Sequence, residues 1–278
     1  MNQWPIGLST GCFYYRSFFD VIDAIHASGF RQIEICSFPR HLDYHREDDV
    51  RRAGDRLRQL DLHPFSFHAP FADHIDITSF DERVRRAAVD ELLVACRAAA
   101  LMGVRHIVLH PGPERAGRPP EHEFLQHMKL AAESLNTVAK HCTELGLHLL
   151  LENMLPHLLF GHTADMLYLV GEIREQNVGT CLDTGHANLA GELGSVVQKL
   201  SGHLKMLHVN DNRGNSDAHL CPGDGIIDWH SLLADLRKHH FKGSLILELS
   251  SSPDENPTDV LARARRAADY LIESSRTE

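Results

Sequence analysis

Short apolar runs rich in Val, Ile, Leu and Phe alternate with longer stretches whose apolar residues recur every three or four positions. The first kind reads as buried strands and the second as amphipathic helices laid against them. Strands are predicted over residues 6–9, 32–37, 64–68, 106–110, 148–152, 178–183, 206–209 and 245–249. Residues 81–102 carry Val84, Ala88, Leu92 and Ala95 on one helical face, and residues 121–145 repeat that pattern up to Gly146, a common helix stop. Thr163 and Asp228 stand where helix N-caps are expected.

Eight strands, each followed by a helix, predict an α/β protein with one closed parallel (β/α)8 barrel over residues 1–278. An open doubly wound sheet would place a glycine-rich phosphate loop after its first strand. Here Ser9-Thr10-Gly11-Cys12-Phe13 has a single glycine, so that alternative loses. Length agrees: 278 residues with 43% hydrophobic content suit one large core, and no linker or low-complexity tract divides the chain.

The chemistry lies in which residue closes each strand. The third to eighth predicted strands end in or beside His68, His110, Glu152, Asp183, His208 and Glu248. In a parallel barrel these ends meet at one mouth, where barrel enzymes carry their active sites. A lone strand-end histidine is more often a hydrogen-bonded structural residue, and a lone Asp before Thr-Gly caps a helix. Six such residues together are different. Three carboxylates crowded without a cation repel one another or take up protons, and a divalent ion removes that conflict. Two loops add donors: His186 follows Asp183 by three residues, and Asp217-Ala218-His219 is an Asp-x-His pair in a polar stretch that otherwise reads as a solvated loop.

Charge and composition narrow the partners. A formal net charge of −10 works against an extended polyanion such as nucleic acid unless basic residues gather on one face. Arg40, His41, His45, Arg46, Arg115 and Arg118 are the candidates for such a track, and Tyr44 or Phe71 for a wedge, although a pocket wall suits both better. The apolar runs are strand-length, so no membrane span is expected. The six scattered cysteines read as reduced, buried thiols, and the N-terminus leaves no room for a secretory signal, so a cytoplasmic location is expected. The aromatic cluster Phe13, Tyr14, Tyr15, Phe18 and Phe19 is open to three roles: pocket wall, core, or contact with a second subunit of a homo-oligomer.

The set Phe67-His68-Ala69-Pro70, Leu109-His110-Pro111-Gly112, Leu151-Glu152-Asn153, Cys181-Leu182-Asp183-Thr184-Gly185-His186-Ala187, Leu207-His208-Val209-Asn210-Asp211 and Leu247-Glu248-Leu249 resembles the xylose-isomerase-like TIM barrels. That group contains sugar isomerases and epimerases and the endonuclease IV family. By resemblance to the epimerase branch, one Mn, Co or Zn ion would sit on Glu152, Asp183, His208 and Glu248. By resemblance to the endonuclease branch, up to three zinc ions would be held. One would take His68, His110 and Glu152, a second the four-residue set with Glu152 bridging, and a third His186, Asp217 and His219.

Three functions follow as expectations. The first is a divalent-metal-dependent isomerase or epimerase of a small sugar or sugar phosphate. Glu152 and Glu248 would move a proton at the carbon next to a polarised carbonyl, while His186 and Arg213 contact the carbohydrate substrate. The second is a zinc phosphoesterase, in the extreme an abasic-site DNA endonuclease. The third is a non-catalytic binding barrel, which would show gaps among the ligands. Ligand inventory alone does not separate the first two.

Overall fold

The computed structural model describes residues 4–114 and 117–276. Among them lie strands β1 (Ile6–Ser9), β2 (Gln32–Cys36), β3 (His63–His68), β4 (His106–Leu109), β5 (His148–Glu152), β6 (Val178–Asp183), β7 (Leu204–Val209) and β8 (Ser244–Leu247). Each pairs in parallel with the next, and β8 pairs with β1, closing the barrel. The helices around it are α1 (Phe18–Ala27), α2 (Glu47–Gln59), α3 (Glu82–Leu101), α4 (Glu121–Leu145), α5 (Thr163–Glu172), α6 (Thr184–Leu189), α7 (Leu193–Leu200), α8 (Trp229–Lys238) and α9 (Pro257–Ser274).

The hydrophobic pattern finds every strand, with small differences at the ends. β4 and β8 stop at Leu109 and Leu247, so His110 and Glu248 stand just beyond the ladder. The amide of Glu248 still donates to Val209 at 3.1 Å, which keeps its side chain at the rim. β7 starts two residues earlier than predicted because the exposed Lys205 interrupts the apolar run between Leu204 and Met206.

The inward faces of five strands supply Val108, Leu150, Cys181, Met206 and Ile246, which pack with Phe65 inside the barrel. A larger apolar layer lies between barrel and helices. Trp4 is buried ahead of β1, and its indole N–H donates to the Phe241 carbonyl at 2.8 Å. α3 buries Ala88, Leu92 and Ala95 as expected, but Val84, in its first turn, is 38% exposed. α4 ends with Gly146 at φ 71°, a left-handed position that favours glycine. Asp228 caps α8 by accepting from the Ser231 amide. Thr163 does not cap α5: it is the first helical residue, and its amide and hydroxyl both donate to Glu192, just before α7. The acceptor comes from a distant part of the chain, which local sequence does not reveal.

All six cysteines are free and buried. Among the described residues no helix is long and apolar enough to cross a membrane.

Candidate metal centre

Strand closure brings the predicted residues to one end of the barrel. Glu152 and Asp183 finish β5 and β6, His208 is the penultimate residue of β7 and His68 finishes β3. Asp183 and His208 are cross-strand partners, so neighbouring strands deliver them at the same height. One ligand atom from each of Glu152, Asp183, His208 and Glu248 lies within 4.8 Å of the others. His68 and His110 converge on the opposite oxygen of Glu152, each with Nε2 3.2 Å from Oε2. The loop residues gather as well: Asp217 Oδ2 stands 3.4 Å from His186 Nε2 and 3.2 Å from His219 Nε2. The nine predicted donors therefore form one connected cluster.

The orientation of the histidines is the most informative feature. In four of them Nδ1 is engaged away from the cluster: His68 with the Ala69 carbonyl, His186 with the Asn153 carbonyl, His219 with the Glu248 carbonyl and His110 with Glu114. An N–H fixed there leaves the Nε2 lone pair pointing inward, which is how metal-binding imidazoles are oriented. His208 is reversed. Its Nδ1 faces Glu152 and Glu248, while Nε2 is 3.0 Å from Glu34 in the barrel interior.

Local structure holds the carboxylates too. Asp183 caps α6 through the His186 amide at 2.7 Å, and its other oxygen accepts from Asn210 at 2.7 Å. Asn153 brackets the Asp183 backbone with both ends of its amide. In the loop after β7, the buried Asp211 accepts from the amides of Gly223 and Ile227 and from the Trp229 indole. That loop turns at His219, which has φ 44°, and so aims His219 at Asp217.

Burial and charge oppose each other here. Burial would raise Glu152, but the imidazoles of His208 and His110 outweigh it and hold its carboxyl well below the usual range. Burial raises Glu248, although a fifth of its side chain remains accessible. Against the lowering effect of burial, Glu152 and Glu114 lift His110 to about 10, and Asp183 and Asp217 lift His186 to about 9. His219 rises to about 10 through Asp217 and Glu248. Such strong mutual dependence of buried carboxylates and imidazoles is the environment in which a divalent cation replaces protons. The residues fit a divalent cation: oxygen and imidazole donors, oriented lone pairs and no thiolate.

Two cavities open on the cluster. One of about 120 Å³ is bordered by His68, His110, Glu152, His186, Asp217, His219 and Glu248, with Phe71, Met154, Leu155 and Leu158 as apolar wall. The second, about 400 Å³, shares His68, Phe71, His219 and Glu248 and adds Tyr14, Tyr15 and Phe38. No Lys or Arg is among the described residues lining either. The aromatic cluster after β1 is thus divided: Tyr14 and Tyr15 face the cavity, Phe13 and Phe18 are core, and Phe19 packs partly buried against it.

Arg213 is the one predicted site residue that the fold leaves outside. It is exposed and absent from both walls, because Asn212 is tied to Gly185 and Asn188 and the following turn faces solvent. Among the described residues the basic candidates do not gather into one track. His41 is buried on the Arg16 carbonyl, His45 and Arg46 pair with Glu91 and Asp49, and Arg118 stacks on Phe124 beside Asp165. Arg40 is exposed, and Arg115 lies outside the described residues. Phe71 is a wall of the metal-side cavities, whereas Tyr44 is buried with its hydroxyl on Glu91.

Glu34 lies in the middle of β2, outside the strand-end pattern that marks the other members of the cluster. The available signal was Gln32-Ile33-Glu34-Ile35-Cys36: a carboxylate flanked by two outward isoleucines must point into the barrel. It accepts from Ser66 at 2.8 Å as well as engaging His208.

Residues 22–273 match the xylose isomerase-like TIM barrel family, and the chain belongs to it. It is similar to a protein of Methanocaldococcus jannaschii, 31% identical over 73% of this chain and 69% of that one. A probable endonuclease 4 of Mycobacterium leprae is 30% identical over 68% of this chain and 74% of its own. Fructoselysine 3-epimerase of Escherichia coli O157:H7 is 24% identical over 61% of each. Among solved structures, a D-tagatose 3-epimerase-like protein superposes with TM-score 0.83 at 23% identity over 98% of both chains. IolI with a bound zinc atom gives 0.81 at 16% identity over 99% of this chain and 100% of that one.

Proposed function

We propose that the protein is a divalent-metal-dependent isomerase or epimerase of a small carbohydrate, working by proton transfer at a carbon next to a carbonyl. The observation that carries this reading is the pairing of Glu152 and Glu248, which have ligand atoms within 4.8 Å of each other and both border the small cavity. Glu152, Asp183, His208 and Glu248 would hold the metal, zinc or manganese. A bound divalent ion supplies Lewis acidity that makes the proton beside a substrate carbonyl easier to remove. Glu152 is held ionised by its imidazole neighbours and is the poised base, while burial raises Glu248 and suits it to hold a proton. Two carboxylates so biased can take a proton from one face of a carbon and return one to the other. His186 borders the same cavity and offers Nε2 to a substrate hydroxyl. The zinc atom of IolI and the names of the epimerase relatives agree with this assignment.

A specific observation favours a second reading. The triad His186, Asp217 and His219, together with His68 and His110 on Glu152, completes a donor set for more than one ion. A relative at 30% identity is named a probable endonuclease 4. Zinc phosphoester hydrolysis is therefore the alternative, and the lack of Lys and Arg in the described cavity walls weighs against it.

The deciding experiment supplies zinc or manganese and incubates the protein with a panel of ketoses in deuterated water, following the α-proton by NMR. An abasic-DNA nicking assay runs beside it. Exchange without nicking is expected. Nicking without exchange would replace the first reading by the second.

A further inference from the structure

A third cavity, about 310 Å³, lies between the segments that follow β2 and β3. Its walls are Phe38, Tyr44, Pro70, Phe71 and Ile75, with the partly exposed Glu91 of α3 among the lining. Phe38 and Phe71 line this cavity and the 400 Å³ cavity alike, so the two share a wall. The rings form a continuous path from the metal ligands outward. Phe71 is 5.1 Å from the His68 ring and 4.8 Å from His110, and Phe38 stands 5.7 Å from Phe71, edge to face. A small sugar has room in the cavities beside Glu152 and Glu248; this third space is surplus to it.

The lining specifies what the surplus space accepts. Three of its polar groups are taken up by one another: the Tyr44 hydroxyl donates to Glu91, and His45 Nε2 lies 2.9 Å from the same carboxylate oxygen, which leaves Ser37 and the exposed His74 as the other polar side chains of the lining. Few donors or acceptors remain for the hydroxyls of a second sugar, which would be desolvated without replacement. No Lys or Arg is among the described lining residues, so a phosphate or carboxylate substituent meets the Glu91 carboxylate with only the imidazoles of His45 and His74 to offset it. Aromatic and aliphatic walls stiffened by Pro39 and Pro70 favour a flat or hydrocarbon group.

We propose that this cavity is an aglycone subsite: the substrate is a glycoside whose sugar carries a keto group and whose apolar substituent is seated between Phe38 and Phe71. The proposal rests on the carbohydrate reading of the metal-side cavities, and its test is chosen to separate the two.

Phenyl and methyl β-D-glucoside are titrated calorimetrically into the zinc-loaded protein, and benzyl alcohol is examined by saturation-transfer NMR. The phenyl glycoside is expected to bind at least about tenfold more tightly than the methyl one, as burial of an aromatic ring implies. Benzyl alcohol is expected to receive saturation and to be displaced by the phenyl glycoside. Ala72 lines the third cavity and neither of the other two, so Ala72→Phe is expected to remove the phenyl advantage and to leave ketose proton exchange unchanged. Equal affinity for the two glycosides, an advantage retained in Ala72→Phe, or a 2-aminoethyl glucoside binding more tightly than the phenyl glycoside would each overturn the proposal. Should the variant fail to fold, absence of saturation transfer to benzyl alcohol in the wild-type protein overturns it equally. Exchange on free ketoses without phenyl preference removes the subsite alone; phenyl preference without exchange removes the epimerase reading alone.

Discussion

His208 Nε2 and Glu34 Oε2 stand 3.0 Å apart inside the barrel, below the cluster of donor groups. The contact fixes His208 with Nδ1 toward Glu152 and Glu248, the reverse of the other cluster histidines. A carboxylate behind a ligating imidazole raises its basicity and locks its orientation, typically worth tenfold to a hundredfold in metal affinity. Glu34→Gln keeps the shape and removes the charge. Zinc affinity, measured by competition with a chromophoric chelator, should fall by about ten- to a hundredfold. An unchanged affinity would show that Glu34 serves packing alone.

Glu152 and Glu248 should fail in different ways when neutralised. Both oxygens of Glu152 are engaged, one by His208 and the other by His68 and His110, so Glu152→Gln should lose metal and activity together. Glu248 has looser contacts, 3.4 Å to His208 and 4.0 Å to His219. Glu248→Gln should keep most of its metal and lower kcat by about 10²- to 10⁴-fold with little change in KM. Elemental analysis with steady-state kinetics separates the two; equal metal loss in both variants would contradict the division of roles.

The third donor set can be removed without disturbing the first. Asp217 joins His186 to His219, apart from the proposed metal-holding set of Glu152, Asp183, His208 and Glu248. In protein saturated with zinc, Asp217→Ala should lower the stoichiometry by one ion and leave the remainder bound. If wild type and variant carry the same zinc, the triad is a hydrogen-bonded loop anchor rather than a binding site.

The sequence makes the strand-end donors legible because barrel closure obliges residues at the ends of parallel strands to meet. His68, Glu152, Asp183 and His208 needed only the strand boundaries, and an error of one residue at His110 or Glu248 left them at the same rim. Residues whose role depends on a distant partner were harder. Glu34 needs His208 and Ser66, and Thr163 needs Glu192, and neither pairing leaves a local periodicity. Arg213 failed for a related reason. Its spacing from His208 says nothing about a loop whose course is set by Asn212 and by the paired backbones of Asp211 and Leu220.

His41 predicts a pH dependence of stability away from the metal centre. Burial lowers its pKa to about 4, while Nδ1–H donates to the Arg16 carbonyl at 2.8 Å and Nε2 is buried without a partner. The ordinary value is about 6.5. On acidification the unfolded chain therefore takes the proton first. Stability contributed by the neutral imidazole is complete above pH 6.5 and is lost as pH falls toward 4, by about 1.4 kcal/mol per unit at most. His41→Gln should be less stable than wild type at pH 7.5, with the difference in urea midpoint shrinking steadily to pH 4.5. A gap that stays constant would assign the acid sensitivity to other groups.

The loop that carries Asp217 and His219 depends on a glycine some residues away. A Cβ at Gly225 would lie 2.1 Å from Asp211 Oδ1 and 2.4 Å from the Asn212 carbonyl, closer than real contacts allow. Asp211 cannot yield easily, since it is buried and accepts from Gly223, Ile227 and Trp229. Gly225→Ala should thus cost about 1–3 kcal/mol by forcing the backbone aside. Because Asp211 also pairs with Leu220, the displacement reaches His219 directly, at the residue that already holds φ 44°. Zinc bound by the triad should weaken more than zinc bound by Glu152, Asp183, His208 and Glu248. Urea unfolding together with zinc titration checks both parts, and equal weakening of the two sets would mean that the loop and the strand-end ligands move as one unit.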